Sequence, residues 1–192
     1  MKPLDYHTVV VDLDYVFFNE DTLLKVCDQI IHSNRLNSIH LAFNRALGMN
    51  RYRKYASRHC NVQELALSLT VNDWIYRYVV SQKRNGAKIV MLTQQHDDIV
   101  RSILKELKLD NLFDEVYASK DDLAVDTDEK IRIIRDHLYD KDRVVVYCGA
   151  CFDDLKIWGC EWVRSAVTTG RYSHDLRLQI ENMGNCVFYH EY

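Results

Sequence analysis

Proline is almost missing from this chain: Pro3 is the only one in 192 residues. The remainder therefore has no proline punctuation, and the sequence shows no flexible linker, internal repeat or low-complexity tract. Long apolar runs are missing too, none approaching the ~20 residues of a membrane span. Neither sign of charge dominates. With 25 Lys and Arg against 28 Asp and Glu, the net charge is −3, which argues against a general nucleic-acid binder while leaving room for a local basic patch. The six cysteines do not crowd into a short disulfide framework and mostly fall inside strand or helix patterns, as small core residues do. The first strand begins within a few residues of Met1, which leaves no room for a signal peptide and points to a cytoplasmic protein. At 192 residues and 47% hydrophobic, the expectation is one domain with a proper core, or one domain carrying a small insertion.

What the chain does have starts at Thr8-Val9-Val10-Val11-Asp12-Leu13-Asp14. Four β-branched residues in a row suit a strand covered on both faces, as in a parallel sheet. The run delivers two carboxylates where the strand ends, and open α/β sheets place their chemistry at the carboxyl ends of strands. On an extended chain Asp12 and Asp14 project to the same side, where their repulsion calls for a cation or a shared proton.

Leu23, Leu24, Cys27, Ile30 and Ile31 then recur at helical spacing behind Asp21, a capping residue. From about Asn34 to Leu69 the pattern stays helical but turns basic, with Arg45, Arg51, Arg53, Lys54 and Arg58 interleaved with Tyr52 and Tyr55. Residues 21–70 therefore read as a helical insertion, and residues 1–20 and 71–192 as the core domain. Asn72 opens a helix that stops at Asn85-Gly86. Strands follow at Lys88 to Leu92, ending at Thr93, at Glu115 to Ala118, at Arg143 to Cys148 and at Val163 to Val167. A last strand is expected over Cys186 to Tyr189. Helices alternate with them, including one bearing Lys130 near its start, so the chain reads as βαβ units around a parallel sheet.

In a doubly wound sheet the groups at these strand ends meet at one rim: Asp12 and Asp14, Thr93, Lys130, then Asp153 and Asp154. The set is coherent for phosphoryl transfer. One carboxylate attacks phosphorus, a second serves the leaving oxygen and then water, and a hydroxyl and an ammonium hold the phosphoryl oxygens. A further acid would help to hold Mg²⁺.

On these residues the chain resembles the haloacid dehalogenase superfamily, whose four motifs match Asp12-Leu13-Asp14, Thr93, Lys130 and Gly149 to Asp154 in order. It is most similar to the domain found fused to UbiA-type polyprenyltransferases. The stretches that carry this are Val11 to Asp14 with Asp21-Thr22-Leu23-Leu24, Leu112 to Ser119, and Tyr147-Cys148-Gly149 with Asp154-Leu155 and Trp158. The resemblance implies a three-layer Rossmann-like α/β fold with residues 21–70 as a small helical cap. It also implies a Mg²⁺-dependent phosphatase with Asp12 as nucleophile, Asp14 as general acid and base, and Thr93 and Lys130 on the phosphoryl group. Asp12, Asp14, Asp153 and Asp154 would be the metal carboxylates. Tyr15 and Val16 stand where glycine and threonine are usual. Ala150 stands where the fourth motif has its first metal-binding acid, and alanine cannot ligate a cation. The alternative is thus a haloacid dehalogenase-like module that binds a phosphorylated ligand or a protein partner without turnover.

Cys148-Gly149-Ala150-Cys151 is a rival signal for a thiol redox centre, but no proline follows Pro3 to supply the cis-proline that thioredoxin-like sites place opposite. The basic stretch from Arg45 to Arg58 reads as a solvated cap face, or as a surface that steers an anionic substrate, an acidic lipid or an acidic partner. The scattered histidines show no metal-ligand spacing.

Overall fold

The computed structural model describes residues 7–33, 35–141, 144–168, 174–183 and 188–191. Six parallel strands form one sheet: β1 His7–Val11, β2 Lys88–His96, β3 Glu115–Ser119, β4 Val144–Gly149, β5 Val163–Thr168 and β6 Phe188–Glu191. Their order is β3-β2-β1-β4-β5-β6, so the Val-rich β1 sits near the middle, paired with both β2 and β4. Val9, Val10 and Val11 are completely buried. The strand's alternation divides them: Val9 and Val11 join one apolar cluster and Val10 the other.

These two clusters are the two faces of the sheet. Helices α5 (Asp73–Arg84) and α6 (Asp97–Glu106) bury Ile75, Val79, Ile99, Val100, Ile103 and Leu104 on the first. Helices α7 (Thr127–Ile133), α8 (Leu155–Trp158) and α9 (His174–Asn182) bury Ile133, Ile157, Trp158, Leu176 and Ile180 on the second. The result is the three-layer parallel α/β architecture expected from the sequence. Local signals act as read. Asn72 caps α5 by accepting from the Trp74 and Ile75 amides, and Gly86 (φ 88°) takes the left-handed turn after it.

Between β1 and β2 lie four helices: α1 Thr22–Ser33, α2 Arg35–Ala46, α3 Met49–His59 and α4 Val62–Ser68. The chains entering and leaving them are pinned together. Phe18 pairs with Val71, the Asn19 amide donates to Thr70 O at 2.9 Å, and the Asn72 amide donates to Phe17 O at 2.9 Å. The four-helix segment therefore springs from a clamped base directly behind the acidic end of β1.

Two strand ends differ from the sequence reading. β2 runs past Thr93 to His96, because its register against β3 shifts between Leu92 and His96 and pairing resumes after the irregularity. The last strand runs to Glu191, past the expected end at Tyr189, and Cys186 and Val187 fall outside the described residues.

Candidate active site

β1 ends where its chain must turn. The Asp12 amide donates to Cys148 O at 3.0 Å, tying the end of β1 to β4, and the Asp12 carboxylate caps the turn by accepting from the Leu13 amide at 2.8 Å. A wide turn follows over Leu13–Phe17, closed by amides of Phe17 and Phe18 reaching back five residues. Inside it Tyr15 has φ 60°, ψ 3°, a left-handed conformation that costs a non-glycine residue on the order of 1 kcal/mol. That turn, rather than continuous extended chain, brings Asp14 to the same cavity as Asp12.

Asp14 is held from the insertion. Its Oδ1 accepts from the Thr22 amide at 2.8 Å and the Thr22 hydroxyl at 2.6 Å. Gln95, beyond Thr93 on β2, supports the arrangement by donating Nε2 to Thr22 Oγ1 at 2.9 Å, while its amide donates to Thr93 Oγ1 at 3.1 Å. Burial pushes the Asp14 carboxyl up to about 7; the charge of Asp21 adds to the rise and the Thr22 bonds oppose it. Near neutrality the group therefore exists in both protonation states.

Lys130 is the sharpest placement. Its side chain is only 2% exposed, and its Nζ donates to Asp12 Oδ2 at 2.6 Å and to the Tyr147 hydroxyl at 3.2 Å. Burial raises the Asp12 carboxyl and the Lys130 ammonium draws it back down. Desolvation works against the lysine's charge, but Asp12 and Asp154 outweigh it and raise its pKa. Tyr147 continues the chain by donating its hydroxyl to Asp154 Oδ1 at 2.8 Å. The Ala150 and Cys151 amides donate to Asp154 Oδ2 at 2.9 and 3.0 Å, and the Cys151 thiol lies 3.2 Å from the same oxygen. Gly149 is required by this packing, because a Cβ there would stand 2.6 Å from Asp154 Oδ2 and 2.7 Å from the Tyr147 ring.

Asp12, Asp14, Thr93, Asp154, Ala150 and Cys151 wall a cavity of about 260 Å³, which the insertion completes with Leu23, Met49 and Arg53. Lys130 stands behind Asp12. Asp153 is not brought in: its side chain is exposed on the turn before α8. This corrects the four-carboxylate metal set of Asp12, Asp14, Asp153 and Asp154. Mg²⁺ wants near-octahedral oxygen ligands, but Asp154 has both oxygens engaged by protein donors, the Ala150 side chain offers none, and Asp153 is exposed outside the cavity lining. Among the described residues no group of three or more His, Cys, Asp or Glu is arranged to hold a metal ion. The cavity wall thus offers a hydrated Mg²⁺ two carboxylates, Asp12 and Asp14, beside the engaged Asp154, rather than the four the resemblance implies.

The Cys148 and Cys151 thiols are also unlike a redox pair. Burial raises both, Cys151 to about 12 with the Asp154 carboxylate adding to the rise, so neither is a thiolate near neutrality. Two functional placements escaped the sequence reading. Tyr147 read as a strand residue and as part of the Tyr147-Cys148-Gly149 stretch of the resemblance, with no role of its own, although a tyrosine in a buried strand needs a partner for its hydroxyl. Arg53 read as one of five cations on a basic face. The structure separates it from the others by turning it inward, where its Nη2 donates to Gln94 Oε1 at 2.9 Å and it feels the charges of Asp14 and Asp21. Lys54 beside it is bound to Asp121, and the Arg45 guanidinium lies 5.8 Å over the Tyr52 ring. Arg51 and Arg58 remain exposed.

No protein-family model and no curated protein matches the chain. Solved structures do. A predicted phosphatase from Clostridium acetobutylicum is 16% identical, over 96% of this chain and 94% of its own, with a TM-score of 0.63. A haloacid dehalogenase-like family hydrolase from Streptococcus pneumoniae is 11% identical, over 97% and 94%, with a TM-score of 0.61. A phosphoserine phosphatase structure described as a phospho-aspartyl intermediate analogue is 11% identical, over 97% and 93%, with a TM-score of 0.56. At such identities the likeness is one of fold, and the fold is haloacid dehalogenase-like; it does not reach the subtype fused to prenyltransferases.

Proposed function

We propose that the chain is a phosphohydrolase of the haloacid dehalogenase superfamily, hydrolysing a small phosphate monoester through an aspartyl-phosphate on Asp12. The observation that carries this reading is the Asp12 carboxylate on the cavity wall with Lys130 Nζ at 2.6 Å, beside an Asp14 carboxyl that titrates near 7. The neighbours' fold, and the phospho-aspartyl state named for one of them, support it.

Every step is assigned to the chain's own residues. An Asp12 carboxylate oxygen attacks phosphorus while the ester oxygen leaves and takes the proton of the Asp14 carboxyl. Lys130 and the Thr93 hydroxyl hold phosphoryl oxygens as charge shifts onto them. Water then attacks the phosphorus of the acyl phosphate, giving its proton to the Asp14 carboxylate, and Asp12 is released with inorganic phosphate. Helices α1 to α4 act as the cap over the substrate, excluding water and presenting Met49, Leu23 and the Arg53 cation to the group esterified to phosphate.

A second reading has its own support. Ala150 and the inward engagement of Asp154 leave the site short of cation ligands, which favours a module that binds a phosphorylated ligand or partner without turnover. Hydrolysis of an aryl phosphate by the wild type and by Asp12→Asn, each with and without added Mg²⁺, separates the two. Turnover that Asp12→Asn abolishes supports the phosphohydrolase, and its response to Mg²⁺ reads whether Asp12 and Asp14 suffice for the cation. A folded wild type that binds inorganic phosphate by calorimetry but turns over nothing supports the binding module.

A further inference from the structure

The insertion carries a second surface that the cavity does not use. Along α2, Leu36, Ile39 and Phe43 are 64%, 67% and 62% exposed, and Leu47 follows just beyond the helix end, also exposed. Spacings of three, four and four residues put these side chains on one side of the helix, while Leu41 turns into the core. On the adjoining α1, Leu24 and Ile31 are exposed seven residues apart on one side, which they share with the exposed carboxylate of Asp28. Single exposed apolar residues are ordinary, but a ridge of large ones on neighbouring helices marks a contact surface.

Charge identifies what contacts it. From Gln29 to Gln63 there is no Asp or Glu, but there are six Lys and Arg: Arg35, Arg45, Arg51, Arg53, Lys54 and Arg58. That segment is +6 in a chain whose total is −3, so the remainder carries −9. Arg53 and Lys54 are engaged inward, with Gln94 and Asp121, while Arg45, Arg51 and Arg58 are exposed. A second copy meeting this segment face to face would oppose two cationic surfaces. The occupant is anionic, and it takes up protruding Leu, Ile and Phe side chains. An anionic lipid surface does both, since it yields to an apolar ridge while its headgroups attract the flanking cations.

We propose that the α1–α2 face of the insertion docks on anionic membrane surfaces, with Leu36, Ile39, Phe43 and Leu47 entering the interface and the exposed Arg51 and Arg58 of α3 at the headgroups. The proposal is independent of turnover at Asp12. The test is flotation of the full chain with vesicles of phosphatidylcholine mixed with phosphatidylserine, and with phosphatidylcholine alone. The expected result is binding to the anionic vesicles at least ~10-fold stronger than to the neutral ones, and weakened by high salt. Ile39→Ser/Phe43→Ser and Arg51→Glu/Arg58→Glu each lower it by at least ~10-fold while far-UV dichroism and melting stay those of the wild type. Failure of the folded wild type to float with anionic vesicles overturns the proposal. So does flotation that survives Ile39→Ser/Phe43→Ser, or a wild type that sediments as a dimer and does not float, which would give the face to a second copy.

Discussion

The strand-end rim and the α1–α2 face of the insertion are built on opposite principles. At the rim a lysine, a tyrosine and two aspartates form one continuous chain from Asp12 through Lys130 and Tyr147 to Asp154, and Lys130, Tyr147 and Asp154 are almost wholly buried. On α2 the large side chains Leu36, Ile39 and Phe43 are apolar and exposed. A buried polar chain is satisfied only in one geometry, so the rim is rigid and each member depends on the rest. A solvated apolar ridge has no such dependence, because its side chains face water rather than one another's polar groups. The same chain thus separates a buried polar network from an exposed apolar ridge. Arg53 links the two, rising from the insertion and turning into the cavity.

The comparison breaks most visibly at Asp12. Asp12→Asn keeps the shape but replaces the attacking oxygen's charge, and turnover of an aryl phosphate is expected to fall by at least ~10³-fold. Lys130→Met tests the rim's interdependence. It leaves Asp12 and Asp154 buried without their cation, so urea denaturation should show a loss of roughly 3–5 kcal/mol, moderated by carboxyl protonation at low pH.

Asp14→Asn should lower turnover by about 10²–10⁴-fold, yet stabilise the protein at alkaline pH. In the folded state Asp14 holds its proton up to about 7, against an ordinary value of 3.8 when unfolded, so the folded state binds more protons between those values. Its contribution to stability is favourable below that window, falls as pH rises through it, and is unfavourable above about 7. Melting curves at pH 5 and pH 8 should therefore converge for Asp14→Asn relative to the wild type, with the variant gaining about 1–2 kcal/mol at the higher pH. The smallest effect belongs to the other region. Ile39→Ser/Phe43→Ser should change folding stability by less than ~0.5 kcal/mol per site, measured in urea, because these side chains are already in water.

Much of this was legible in the residues. The Val9 to Val11 run, the caps at Asn72 and Gly86, and the helical spacing of Ile99, Ile103 and Leu104 encode structure locally, and each acts as read. Asp12, Asp14, Thr93, Lys130 and Asp154 stood out because strand ends in a parallel sheet share a rim. Asp153 and Asp154 were inseparable in sequence, since adjacent acids on a turn differ only in which way the backbone aims them. The structure turns Asp154 onto the Ala150 and Cys151 amides and leaves Asp153 in solvent. Tyr147 carried no signal for its hydroxyl's role beyond strand pattern and resemblance, and Arg53 none beyond its charge.

Sequence alone determined the layered α/β architecture. Periodicity, capping and β-branched runs act over a few residues, and the rules of parallel sheets carry them to the whole fold. Only the tertiary structure decided that Lys130 reaches Asp12 across 118 positions of chain. It alone decided that Tyr147 closes the link to Asp154, that one arginine of the basic stretch serves the cavity, and that an apolar ridge on α2 stays uncovered. Those outcomes depend on which distant side chains share a desolvated space, where an unpaired charge or hydroxyl costs more than any local preference can repay.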